Sequence, residues 1–341
     1  MSLGGRCITF LVGRTGLDLQ RPPTVKPQTL KSSPNYPDVI PKQAIIRKSK
    51  GEVQGRTIEF VVKAYLPDTV IVEATFEFQD LAREPLLDLN REVSLECRRV
   101  LNEFECDPDY DEDYSIYCVS DYQGDPEKLL EADGKIIAGL LKKERLPLAA
   151  EEVQSTLRSS LKYAKDDLAI VDWDGAFLFD PQGDFGANIE LLEIANQQLL
   201  KSRILDDELD ARLTTTLQLL RPGAEQKRLP SRRVRSMLRE VIQIRTTSIL
   251  ESQAIEHGIK LIGDWYSARL YMLVAKKFHL DDWRKNINEK LDVLEDIYSM
   301  ASESLSISLN TTLEFIQIMG WFLLMFGWFV LLYMEWVFYT E

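Results

Sequence analysis

Histidine is almost absent from this chain, with His257 and His279 the only two in 341 residues, and the four cysteines Cys7, Cys97, Cys106 and Cys118 show no C-x-x-C spacing. A zinc site needs closely spaced ligands of these types, so neither a metal nor a cofactor is expected. A charged start followed by an apolar core and a small-residue cleavage site is also lacking. The thiols are therefore expected to sit reduced in a cytoplasm-like compartment. No proline follows Pro230, and because proline breaks helix interiors, the last third is free to form long helices. Basic residues are in deficit, leaving a net charge of -13. A surface of that sign repels phosphate backbones and argues against a nucleic-acid partner.

The average charge hides segregation. Residues 1–63 carry eleven Lys or Arg against four Asp or Glu, and residues 64–134 carry twenty acidic against five basic residues. The two stretches either pair with each other, within or between chains, or form separate solvated faces. The acidic run from Asp107 to Asp113 lacks the glycine and terminal glutamate of a calcium loop, so no calcium site is expected there.

With 45% hydrophobic residues the chain can bury one large core or two smaller ones. "CITFLVG" reads as a strand. "TIEFVVKAY" and "VIVEATFEF" read as a hairpin around Leu66-Pro67-Asp68, being rich in β-branched and aromatic residues. "DLNREVSLECRRVLNEF" has helical spacing, "DPDYDEDY" reads as an acidic loop and "YSIYCV" as a strand. "DPEKLLEADGKIIAGLLKKE" returns to helix, with Asp125 as its cap and Pro126 at its first position.

"AIVDWDGAFLFD" admits two readings. In haloacid-dehalogenase-type phosphatase chemistry, Asp172 would be the nucleophile and Asp174 the general acid and base beside a magnesium ion. That chemistry also needs a lysine, a hydroxyl and further carboxylates at the ends of later parallel strands, whereas the chain after Pro181 reads as almost continuous helix. The structural reading makes "LAIVDW" and "AFLF" a hairpin, with Asp174-Gly175 supplying the positive φ angles of a type I′ turn. Asp180-Pro181-Gln182-Gly183 is then a second turn.

Between Glu314 and Glu335 lie twenty uncharged residues, eleven of them Phe, Ile, Leu or Val. At 1.5 Å per residue they reach roughly the 30 Å of a hydrocarbon core. Those eleven favour insertion by about 3 to 7 kcal/mol with no charge opposing them. The pattern predicts one C-terminal transmembrane helix with the preceding chain on the cytoplasmic side, or the equivalent organelle interior. Tyr333, Trp336 and Tyr339 would sit at the headgroups, and Gly320 and Gly327 on one face would let another membrane helix approach.

Ahead of that span, Ile287, Leu291, Leu294, Tyr298, Ala301 and Leu305 recur at spacings of three and four, the seam of a short coiled coil. A helix running from about Asp281 into the membrane is expected. Its seam residues Ile287, Leu291, Leu294, Tyr298 and Leu305 either join copies into a homo-oligomer or pack on the chain's own helices. A basic cluster comprising Arg228, Arg232, Arg233, Arg235 and Arg239 follows a Pro- and Gly-containing linker. It has no interleaved aromatics for base stacking.

The order of parts resembles the proteins called "required for meiotic nuclear division". The residues that carry it are "DDLAIVDWDGAFLFDP" with "IELLEIANQQLLKSRILDDELD", and "WRKNINEKLDVLEDIYSMASESLSISLNTTLEFIQI" entering the span, over roughly residues 160–335. The resemblance implies a membrane-tethered, oligomeric scaffold without an assigned catalytic activity. The expected organisation is a partly ordered basic segment over 1–50, an α+β domain over 51–184, a helical and coiled-coil region over 185–312, and a transmembrane helix over 313–338. The expected partners are the lipid bilayer, further copies of the chain and an unidentified protein.

Overall fold

The computed structural model describes the backbone of residues 3–17, 19, 43–220, 231–261 and 265–340, and their side chains except at 219–220, 231–233, 235, 251–261, 301–315, 335 and 337–340. The chain divides into two compact units. The first comprises Met1–Glu208 with Ile249–Ile287, and the second Leu209–Ser248 with Asn288–Glu341.

The first unit is built on an eight-stranded sheet: β1 (Gly5–Thr15), β2 (Gln43–Val53), β3 (Arg56–Tyr65), β4 (Thr69–Phe78), β5 (Cys106–Val119), β6 (Ser160–Leu161), β7 (Leu168–Val171) and β8 (Gly175–Phe179). The spatial order is β2-β3-β4-β1-β5-β8-β7-β6. Neighbours are antiparallel except β5 and β8, which run parallel. A parallel pair requires a crossover, because a tight turn reverses direction. Here the crossover contains α2 (Glu127–Leu141) and α3 (Ala150–Arg158) as well as β6 and β7.

Side chains alternate across the strands, so each strand feeds two cores. Leu11, Val62, Val72, Tyr117, Phe177 and Phe179 face one layer with α1 (Leu86–Asn102) and α2. Phe10, Val12, Ile71, Tyr114, Ile116 and Leu178 face the other, with α4 (Gly186–Leu220) and α6 (Trp265–Lys277). Covering on both faces explains why "LAIV" and "GAFLF" are continuous apolar runs, buried at every position. It also explains α4, whose residues 191–197 are all buried: that part of the helix packs against both the sheet and α6.

The expected hairpins β3–β4 and β7–β8 form, and Asp125 caps α2 by accepting the Glu127 amide at 3.0 Å. Three expectations are corrected. Within residues 1–50, β1 and the start of β2 are sheet and not tail, since β1 lies between β4 and β5 and β2 begins at Gln43; seven consecutive buried residues, five of them apolar, make β1 core, and residues 20–42 lie outside the described residues. The acidic run is strand, not loop. Period-two alternation sends Asp111 to Arg98 (2.6 and 3.0 Å) and Asp113 to Lys143 (3.0 Å), whereas Glu112 meets Arg203 and the Tyr110 hydroxyl donates to Asp207 at 3.0 Å. Neither Asp174 nor Gly175 has a positive φ angle; consecutive positive φ angles occur instead at Gln54 (50°) and Gly55 (76°), which close the β2–β3 hairpin. Gly175 serves close approach instead, as a Cβ there would stand 2.7 Å from the Ser115 carbonyl oxygen of β5.

The segregated charges pair within the first unit. Arg14 meets Asp68 at 3.3 Å, Arg47 meets Glu103 at 2.7 Å and Arg56 meets Glu84 at 2.7 Å.

The second unit joins the end of α4, the start of α5 (Ser231–Leu261) and part of α7 (Leu280–Thr340). Asp210 meets Lys290 at 2.6 Å and the hydroxyls of Thr216 and Tyr298 lie 2.8 Å apart, so α4 and α7 advance together and run parallel. Arg212 meets Glu240 of α5 at 2.8 Å, and Arg245 of α5 pairs with Asp292 and Glu295 of α7. Leu209, Val234, Val241, Leu291, Leu294 and Tyr298 are buried here. As expected for a proline-free stretch, α7 is one helix of 61 residues. Its Ile316–Met334 stretch is long and apolar enough to cross a membrane and has no buried part.

Gly175→Ala should force β5 and β8 apart and lower stability by about 1 to 3 kcal/mol, read as an earlier midpoint in a denaturant titration. Leu291→Ala, at a fully buried position, should cost about 2 to 5 kcal/mol. A Gly175→Ala protein as stable as its parent would show that the strand approach carries no constraint.

Candidate functional site

The turn between β7 and β8 places Asp172 where both helix layers end. Lys142 follows the last turn of α2 and Lys277 closes α6. Each of these helices is succeeded by a left-handed residue, Lys143 (φ 49°) and His279 (φ 51°) respectively. Lys277 Nζ lies 2.9 Å from Asp172 Oδ1, Lys142 Nζ lies 3.3 Å from Oδ2, and the Trp173 amide donates to Oδ1 at 2.8 Å. Lys142 also meets Glu152 at 2.7 Å, and the Tyr114 hydroxyl donates to the Asp172 carbonyl at 3.2 Å. Asp172 is 2% exposed. Burial alone would raise its carboxyl, but Lys277, the Trp173 amide and Lys142 together hold it below the ordinary range. Asp174 goes the other way, raised by burial and by the charges of Asp172 and Asp113 against the pull of Lys143.

A phosphatase nucleophile has to present one carboxylate oxygen to phosphorus beside a metal. Both oxygens of Asp172 are engaged by cations, and the residue is closed to solvent. Among the described residues no group of three or more His, Cys, Asp or Glu could hold a metal ion. The strand carrying Asp172 belongs to an antiparallel hairpin near the sheet edge. What this arrangement does chemically is neutralise a buried charge while tying a helix from each layer to one turn.

A second polar cluster lies between α4 and the sheet. Lys63 of β3 contacts Glu73 of β4 and reaches both oxygens of Glu193 on α4, at 2.9 and 3.1 Å. The Tyr65 hydroxyl donates to Glu193 Oε2 at 2.6 Å, and Glu193 is 0% exposed. One turn further along α4, Gln197 is also 0% exposed, with no hydrogen-bond partner for either amide atom. Sequence reasoning passed over Lys63, Glu73, Glu193, Lys142 and Lys277. Only Glu193 left a signal, a carboxylate interrupting the apolar run of Leu191, Leu192, Ile194 and Ala195.

The residues singled out near the C-terminus divide. Ile287, Leu291, Leu294 and Tyr298 are buried within the chain. A Cβ at Gly320 or Gly327 would meet nothing within 4 Å. Tyr333 and Trp336 are exposed, their ring centroids 6.4 Å apart. Arg239 is exposed on α5. Arg228 and the side chains of Arg232, Arg233, Arg235, Leu305 and Tyr339 lie outside the described residues.

This chain belongs to the family described as "Uncharacterized protein MJ0711, N-terminal domain", whose model matches residues 13–185. The match covers most of the sheet with α1 to α3 and stops before α4. The chain is similar to the uncharacterised protein MJ0711 of Methanocaldococcus jannaschii, 26% identical over 304 residues, which is 89% of this chain and 90% of that one. The likeness therefore extends beyond the sheet domain into the helical part. No solved structure matches.

Asp172→Asn should leave two lysines facing a neutral amide in a buried turn and cost about 3 kcal/mol or more at neutral pH. Because the native carboxyl is held low, its contribution is complete above the ordinary carboxylate pKa and fades as pH falls below about 4. Denaturant midpoints of parent and variant should differ at neutral pH and converge in acid. Magnesium-dependent phosphate release that Asp172→Asn abolishes would restore the nucleophile reading.

Proposed function

We propose that this chain is a non-catalytic scaffold or adaptor, held at a membrane by the Ile316–Met334 stretch of α7. Its sheet domain lies on the cytoplasmic side and recruits a protein partner there. The observation that carries the reading is the exposure of that stretch: Trp321, Phe322, Leu324, Phe326 and Trp328 are each at least 65% exposed. Water does not tolerate an apolar surface of that extent, whereas a bilayer does, and a helix brings no unpaired backbone groups into it. Nineteen residues span about 28 Å, close to the hydrocarbon thickness. Tyr333 and Trp336 then fall at the headgroup layer.

Self-association belongs to the span in this reading. The seam from Ile287 to Tyr298 is spent inside the chain, while Gly320 and Gly327 leave helix backbone bare for a second copy. The order of parts shared with the "required for meiotic nuclear division" proteins supports a tethered, oligomeric scaffold.

A chain ended after residue 312 keeps the buried part of α7 and tests the tether cleanly. The full chain should stay with membranes through alkaline extraction and the shortened chain should be released. In detergent the full chain should show a multiple of the monomer mass, reduced by Gly320→Leu with Gly327→Leu. Release of the full chain by alkali would defeat the tether, and monomers throughout would defeat the oligomer.

A further inference from the structure

Glu73 and Glu193 face one cation in a place that water barely reaches. Lys63 and Glu73 are each 13% exposed at the side chain and Glu193 is not exposed at all. From β3 the site receives Lys63 and Tyr65, from β4 Glu73 and from α4 Glu193, while Glu190 of α4 accepts from Gln43 of β2 at 3.4 Å at the margin. The β1 residue opposite Glu73 is Phe10, which brings no charge. Two ionised carboxylates would therefore leave one negative charge unbalanced among Phe10, Ile71 and the apolar face of α4, which is unfavourable away from water. One added proton removes it.

We propose that Glu73 and Glu193 hold a single proton between them beside Lys63, and that this buried proton fastens α4 to the sheet. The two carboxyls meet at the one Lys63 ammonium, and in this arrangement Glu73 carries the proton. Burial and the neighbouring Glu193 charge raise Glu73 well above the ordinary carboxyl range. Against its own burial, Glu193 is held low by Lys63, by the Glu73 hydrogen bond and by Tyr65. The sign follows from the raised group. Stabilisation by the Glu73 proton is complete only below the ordinary carboxyl pKa and is lost progressively as pH rises from there through the raised folded pKa. Emptying the site puts two carboxylates on one lysine beneath α4, beside the unpartnered amide of Gln197, and α4 lifts.

Hydrogen exchange over residues 191–200 of the full chain in detergent, from about pH 6 to about pH 10, reads this directly. After correction for intrinsic exchange, opening should increase about tenfold per pH unit up to the folded pKa of Glu73 and level off above it. Glu73→Gln keeps the neutral donor and should flatten the profile. Glu193→Gln leaves one carboxylate for one lysine and should flatten it too. Infrared spectra of the unaltered protein at neutral pH should show a protonated-carboxyl stretch that Glu73→Gln removes. A profile unchanged in both variants overturns the proposal, and so does a band that survives Glu73→Gln. If the variants do not fold, absence of any protonated-carboxyl band from the unaltered protein overturns it.

Discussion

The constraint on which the first unit turns is that α4 has no free side between residues 191 and 197. A helix on a protein surface can send its polar residues to water, but a helix between a sheet and another helix cannot. A charged group it carries has to be neutralised from within, and of the buried polar residues of α4, Gln197 alone is left without a hydrogen-bond partner among the described residues. Glu193 is answered by Lys63 and Tyr65 on β3, so the strand and the helix fix each other's register. Asn196 turns back on its own helix, donating to the Leu192 carbonyl at 2.8 Å.

The same logic repeats where the layers end. Asp172 would be costly in the turn between two fully buried strands, and it is answered by one lysine from each layer. Salt bridges on open surfaces contribute little. Those at the Asp172 and Glu193 carboxylates are different because loss of either partner strands a charge in a dry place. The charge segregation along the chain finds the same resolution, since basic strands from the first sixty residues meet acidic elements from the next seventy inside one unit. Such pairing leaves less of the basic surface free for an external acidic partner.

Elements whose identity depends on nearby residues were legible in advance. The β3–β4 and β7–β8 hairpins, the cap of α2 and the proline-free run that becomes α7 all follow from local pattern. Elements whose identity depends on a distant neighbour were not. "DPDYDEDY" carries the composition of a loop, and it is strand because Arg98 of α1, Lys143 just after α2 and Arg203 of α4 wait opposite its carboxylates. Gly175 suggested a turn, yet what makes glycine necessary there is a carbonyl sixty residues earlier. The candidate site divides in the same way: Asp172 stood out by its spacing, whereas the lysines that meet it stand at the ends of α2 and α6.

Composition and periodicity by themselves determined that this chain has a mixed α and β half, a helical half and one apolar stretch of membrane-crossing length. Those are statements about runs of residues, and runs are what short-range physics reads. Only the tertiary structure decided that Asp172 of "AIVDWDGAFLFD" is buried between Lys142 and Lys277, and that the Ile287 to Tyr298 seam packs inward. It also brought Glu73 within reach of Glu193. The physical reason is common to all three. The state of a charged or apolar side chain is set by what lies across the core from it, and that neighbour is far away in the chain.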